Sequence, residues 1–196
     1  MTKGERTRQR IVRAALPLFS ARGYSGTSIE HVLDRVGLQK GGLYRHFRSK
    51  DELALAAFDY AFDQATQHLA RALEGERHAV SRLKAIADAF TSMTRDDTFT
   101  AGCHMLNTAV DSDDTHPALR NRVMRGLERW RALIRAEAEA GITKGELAAS
   151  LDADELATFF IATLEGSIML NKVYGSPLFL DRAVAHLKHY VSTLVR

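Results

Sequence analysis

The sequence predicts an all-α protein of about nine helices, and three observations predict it. Apolar residues recur at i, i+3, i+4 and i+7 in one segment after another, the period of an amphipathic helix. Helix-start signatures of the type Ser/Thr/Asp-x-x-Glu stand before Glu30, Glu52 and Glu155. No segment shows the two-residue alternation of a half-buried strand. A chain of 196 residues, 45% of them hydrophobic, is long enough to bury a core in one or two domains and too apolar to be disordered.

The first helix is expected from Arg6 to Arg22, with Ile11, Ala14, Ala15, Leu18 and Phe19 on one face and Gly23 ending it. Pro17 lies inside it and is expected to kink it or split its last turn, because it removes a backbone donor. Thr27 with Glu30 forms a capping box that opens a short helix, with Ile29, Val32, Leu33 and Val36 facing inward and Gly37 stopping it. Leu38, Leu43 and Phe47 mark the next helix. Ser49 with Glu52 then opens a long one running to about Leu73. Two short helices joined by a tight glycine-containing turn make a helix-turn-helix pattern. Further helices are expected at about 79–94, 101–110, 116–140, 152–173 and 177–194. Asp152 and Glu155 cap the fourth of these, and Ser176-Pro177 starts the last with a cap and a first-turn proline.

Charge is segregated along the chain. Residues 1–50 carry eleven lysines and arginines against Glu5, Glu30 and Asp34, a net +8, which leaves −5 for the remainder of a chain whose total is +3. A basic first quarter on an acidic body points to a polyanionic partner, with nucleic acid foremost. Cys103 is the lone cysteine, so an internal disulfide and a multi-cysteine zinc site are both excluded. No stretch reaches 18 uninterrupted apolar residues, and the polar start MTKGERTRQR lacks a signal-peptide core; a soluble, cytoplasmic protein with no membrane partner is expected. Catalytic signatures are missing: there is no phosphate loop, no dinucleotide turn and no Ser-His-Asp motif, so no enzyme is expected. His186 and His189 lack a third ligand nearby, and neither a metal nor a cofactor is expected.

The helix ending in RGY, the T-x-x-E box, the short turn and the run KGGLYRHFRSKDEL together resemble the TetR/AcrR family of transcriptional regulators. The specific resemblance covers about residues 6–55. It implies a helix-turn-helix DNA-binding domain at residues 1–50, and a helical ligand-binding and dimerisation domain at 51–196. It further implies a homodimer, a palindromic double-stranded operator and a small-molecule effector that releases it. Repression is the favoured outcome; an activator of the same family, or a thiol-based electrophile or redox sensor acting through Cys103, are the alternatives. Leu43 and Phe47 are expected to anchor the recognition helix, while Gln39, Lys40, Gly41, Gly42 and Tyr44 face DNA. Gln39 and Lys40 suit adenine and guanine edges respectively. Gly42 stands where family members often carry Ser or Thr, which shifts base reading toward Gln39, Lys40 and Arg45. Tyr44, His46 and Lys50 are expected on phosphates, as are Thr27 and Ser28 at the start of the preceding helix. Lys3, Arg6 and Arg8 are expected to form a flexible basic arm.

In the second half, Phe90, Met93, Cys103, Met105, Leu106, Leu127, Trp130, Phe160 and Thr163 are the candidate pocket residues, and their character suits a hydrophobic or aromatic ligand. Leu180, Val184, Leu187, Val191 and Leu194 form a 4-3-4-3 stripe, which with Phe159 is the candidate dimer interface, plain core of the same chain being the alternative.

Overall fold

The computed structural model describes residues 1–95, 102–112 and 116–195. Among them run nine helices: α1 (Lys3–Arg22), α2 (Ile29–Val36), α3 (Lys40–Tyr44), α4 (Lys50–Ala72), α5 (Ala79–Thr94), α6 (His104–Ser112), α7 (Pro117–Thr143), α8 (Ala153–Tyr174) and α9 (Leu178–Thr193). The only extended pairing among the described residues is a bridge between Leu147 and Val195. The chain forms two compact units, Met1–Gln64 with Thr98–Met124, and Ala65–Asp97 with Arg125–Arg196. Both α4 and α7 supply residues to each unit. This division differs from a boundary at residue 50, because Leu53 and Ala57 of α4 complete the buried cluster of Ile11, Val12, Ala15, Ile29, Val32, Leu43 and Phe47.

Local chemistry explains where the helices begin, and it departs from the sequence expectation at several ends. The first helix starts at Lys3 because Thr2 and Glu5 form a reciprocal capping box, a signal lying in the segment expected to be a loose arm. It continues through Pro17 to Arg22 without interruption. The second helix is capped by Ser28 with His31, not by Thr27 with Glu30. Thr27 is instead buried, and its hydroxyl is turned to the carbonyls of Gly23 (2.8 Å) and Leu18 (3.1 Å). Ser49 caps α4 as expected, but Glu52 reaches back to the amide of Arg48. The last helix begins one residue later than expected, at Leu178, after Pro177. The expected start of the sixth helix at residue 101 lies outside the described residues.

In the second unit, α9 packs on α5 and α8. Its stripe of Leu180, Val184, Leu187 and Val191 is buried within this chain, so these four residues are core and not an open dimer face. Leu194 is half-buried, and its carbonyl accepts the amide of Ala148 at 2.9 Å. A helix–helix seam was legible in the spacing, but its partner is the chain itself. Arg82 forks onto Glu137 (2.7 Å from Nη2) and also donates to the carbonyls of Leu73 and Glu76, which closes the turn before α5. Although α8 is long and apolar enough by composition to cross a membrane, Leu156, Phe160, Leu164 and Ile168 on it belong to this buried core.

In the first unit, His104 is buried against the edge of the Phe58 ring, at 5.6 Å between centroids. Burial disfavours its charged form and pushes its pKa from 6.5 down to about 4.

Two outcomes follow from these placements. Leu187→Ala should lower the stability of the folded chain by about 2–5 kcal/mol in urea titration, as a core truncation does, instead of changing only the association state. Because the unfolded chain binds a proton at His104 that the folded chain excludes, stability should fall as pH drops from about 6.5 to about 4. That loss should be on the order of 2–3 kcal/mol. The loss should be absent in His104→Phe when the two proteins are unfolded in urea across that pH range.

Candidate nucleic-acid interface

Between α2 and α3 the chain turns on Gly37, whose left-handed φ of 67° would strain any residue with a Cβ. The helix that follows has five residues, fewer than expected, and Phe47 lies beyond its end. A single turn and a half cannot be stable alone. It is held because Leu43 and Phe47 are fully buried and because the Phe47 amide donates to the Leu43 carbonyl at 3.1 Å.

That anchoring leaves the other side of α3 bare. Gln39 precedes the helix with its side chain unused as a cap, and Gln39, Lys40, Gly41, Tyr44 and Arg45 are exposed. Gly42 and His46 are half-buried. A Cβ at Gly41 would meet nothing within 4 Å, and one at Gly42 would meet only the Leu38 side chain, at ordinary contact distance. The two glycines are therefore not demanded by packing within this chain. Lys40 pairs with Glu30 on α2, 3.7 Å from Nζ to Oε1.

The structure places the remaining expected DNA residues unevenly. Thr27 is withdrawn: with its hydroxyl engaged internally and its side chain buried, it cannot offer that group to a phosphate. Ser28 spends its hydroxyl on the His31 amide at the start of α2. The Lys50 ammonium sits 4.1 Å from the centre of the Tyr24 ring, held there by cation–π attraction. The expected loose arm is helical. Lys3, Arg6 and Arg10 fall on one exposed face of α1, away from buried Ile11, Val12 and Ala15, whereas the Arg8 guanidinium stacks 4.6 Å from the Phe47 ring centre.

Sequence reasoning missed a polar junction centred on Tyr24. Its amide donates to Asp111 at 2.5 Å, its hydroxyl donates to Asp51, and the His116 ring meets it edge-on at 4.6 Å. Partial burial, then the hydrogen bond to Asp51 and that carboxylate's charge, push the Tyr24 pKa up to about 12. Asn107 adds a bond to the Ser20 carbonyl at 3.1 Å. These contacts tie α6 and the start of α7 to the end of α1 and the start of α4. The RGY sequence marks Tyr24, but nothing in the spacing reveals a partner 87 residues away.

The nine expected pocket residues do not form one set. Phe90, Met93, Trp130 and Phe160 are buried in the second unit, with Phe90 perpendicular to Trp130 at 5.2 Å, and Leu127 and Thr163 are half-buried there. Cys103, Met105 and Leu106 belong to the first unit, where the first two are buried. A small crevice in the first unit, with room of about 20 Å³, is lined by residues outside the expected set, among them Leu16, Phe19, Tyr24, Phe58, His104 and Asp111.

Comparison with known proteins accords with this geometry. Residues 11–57 match the family of bacterial regulatory proteins named tetR, and residues 79–187 match the tetracyclin repressor-like C-terminal domain. A TetR transcriptional regulator from Chloroflexus aurantiacus J-10-FL, known from its crystal structure, superposes with a TM-score of 0.95 at 44% identity, covering 100% of this chain and 99% of that one. The transcriptional regulator AcuR of Cereibacter sphaeroides is 30% identical over 86% of this chain and 78% of its own length. The HTH-type transcriptional repressor DhaR of a Mycobacterium species is 25% identical over 89% and 87%. With a buried anchor, a bare five-residue helix and both halves matched, the chain belongs to the TetR family of DNA-binding transcriptional regulators.

Proposed function

We propose that this protein is a cytoplasmic homodimeric repressor that is released from a palindromic operator by a small hydrophobic ligand. The observation that carries the DNA-reading part is the open space over Gly41, with room for a methyl at Gly42 beside it, on a helix whose opposite side is fully anchored. A helix of five residues that accepts two glycines at a cost of about 1 kcal/mol each has a reason to keep its backbone bare. Close approach of that backbone to a phosphate or base edge supplies it. Gln39, Lys40 and Arg45 then read bases, and Tyr44 and His46 hold phosphates. The α1 face of Lys3, Arg6 and Arg10 adds affinity that depends on salt and not on sequence.

Repression is supported by the relative DhaR, which is itself called a repressor. Two recognition helices about 34–36 Å apart would address successive major grooves of a palindrome. For dimerisation, the outer side of α8 offers an apolar row at helical spacing: Phe159, Ala162, Gly166, Met169 and Val173, with Leu178 following at the start of α9. Val173 is 72% exposed and Phe159 41%, which is unusual for a row of this length in a monomer. This row replaces the buried α9 stripe as the proposed interface. The effector-facing wall is assigned to the perpendicular pair Phe90 and Trp130, with Leu127 one turn before Trp130 on α7 and Thr163 one turn after Phe160 on α8. Effector binding acts only through different affinity for the operator-bound and released states.

A palindromic duplex of about 15–20 base pairs should retard the protein at low salt, and Tyr44→Ala should abolish the retardation; an unchanged shift with that variant would refute the reading. Gly41→Ala should separate fold from function. It should raise the unfolding free energy measured by urea titration by up to about 1 kcal/mol, since the added methyl has room, yet weaken operator binding by about tenfold or more in anisotropy titration. Val173→Glu, placing a charge in the apolar row of α8, should convert the dimer to a folded monomer in sedimentation analysis.

A further inference from the structure

The ion pair between Glu30 and Lys40 has no evident structural purpose. Both side chains are 65% exposed, and a pair so open to water contributes little to stability. It joins the two helices of the helix-turn-helix, from the first turn of α2 to the first residue of α3. It also lies in a segment with a net charge of +8, where a carboxylate works against phosphate binding. Hydrogen bonding from its own backbone amide and from Ser28, with the Lys40 charge, lowers the Glu30 pKa and keeps the carboxylate ionised. A negative charge thus stands 3.7 Å from the cation of the recognition helix.

We propose that Glu30 is a specificity-determining residue that holds the Lys40 ammonium back from backbone phosphates and aims it at a base edge. The inference rests on the reading of α3 as the base-reading helix. Lysine has a flexible four-carbon stem and three donors, and unrestrained it would settle on the nearest phosphate of any duplex. Contacts of that kind raise affinity for every sequence equally. With Glu30 beside it, swinging to a phosphate separates an ion pair and leaves the carboxylate without its counter-charge near the DNA. Donating to an acceptor pair on a guanine edge leaves the ammonium next to Glu30. The carboxylate therefore penalises the wrong DNA more than the right DNA, which is how specificity is gained by repulsion.

The test uses the full chain, a duplex selected by the wild-type protein from a random pool, and a scrambled duplex of the same length and composition. Glu30→Gln should tighten binding to the scrambled duplex by about two- to fivefold and steepen its salt dependence by about one unit of log–log slope. Affinity for the selected duplex should stay within about twofold, so discrimination falls. In a Lys40→Ala background the same substitution should leave discrimination unchanged. Equal tightening or loosening on both duplexes, no change on either, or an undiminished effect without Lys40 would each overturn the proposal. If the wild-type protein selects no sequence from the pool, the DNA-reading assignment itself fails; if it selects one and Glu30→Gln keeps the same discrimination, only the role of Glu30 fails. Thermal unfolding of each variant by circular dichroism controls for folding.

Discussion

Burial of Leu43 and Phe47 is the interaction on which the DNA-facing part of this molecule depends. The recognition helix has five residues and two glycines, far short of what an isolated helix needs to persist in water. Its orientation is imposed from outside, by two side chains four positions apart that enter a core made of α1, α2 and α4. Burying a leucine and a phenylalanine contributes on the order of 2–3 kcal/mol each, which outweighs the helix propensity lost at Gly41 and Gly42. Arg8 covers the Phe47 ring from α1, so even the outer edge of that anchor is packed. The exposed side is then free of structural duty.

Charge and packing divide the work in the same region. The cations that point outward, on α1 and around α3, supply a field that attracts a polyanion without choosing among sequences. Several polar groups that look available in the sequence are spent inside the chain: Thr27 on carbonyls, Ser28 on a cap, Lys50 on the face of Tyr24. Tyr24 in turn gathers Asp51, Asp111 and His116. Hydrogen bonding of this kind costs more to break than it contributes when formed, because the separated partners stay partly buried. The first unit therefore includes α6 as a bonded neighbour of α1 as well as the helix-turn-helix.

Much of the fold was legible in the sequence, and the limits follow from physics. Helix positions could be read because amphipathic period and capping residues are local, so Ser49, Asp152 and Gly37 mark ends that the structure keeps. The Thr2–Glu5 box lies in a run of cations whose composition favours a loose arm, and its reciprocal bonds override that composition. Thr27 and Ser28 are adjacent hydroxyls that both satisfy a capping pattern, and only the inward turn of one decides between them. Apolar character marks core and cavity alike, so the expected pocket residues divide between two units, and the small crevice of the first unit is lined by others.

By itself the sequence determined the all-helical class, the helix-turn-helix at the amino terminus, the basic surface and the anchoring roles of Leu43 and Phe47, because period, caps and charge are properties of short segments. Tertiary structure alone decided which apolar stripe is covered. The α9 row faces α5 and α8 of its own chain, while the row on α8 that ends at Val173 stays open. A stripe at helical spacing records that a face must be buried, but not what buries it. The same holds for Lys40 and Glu30: their charges are plain in the sequence, and only the turn at Gly37 brings them together.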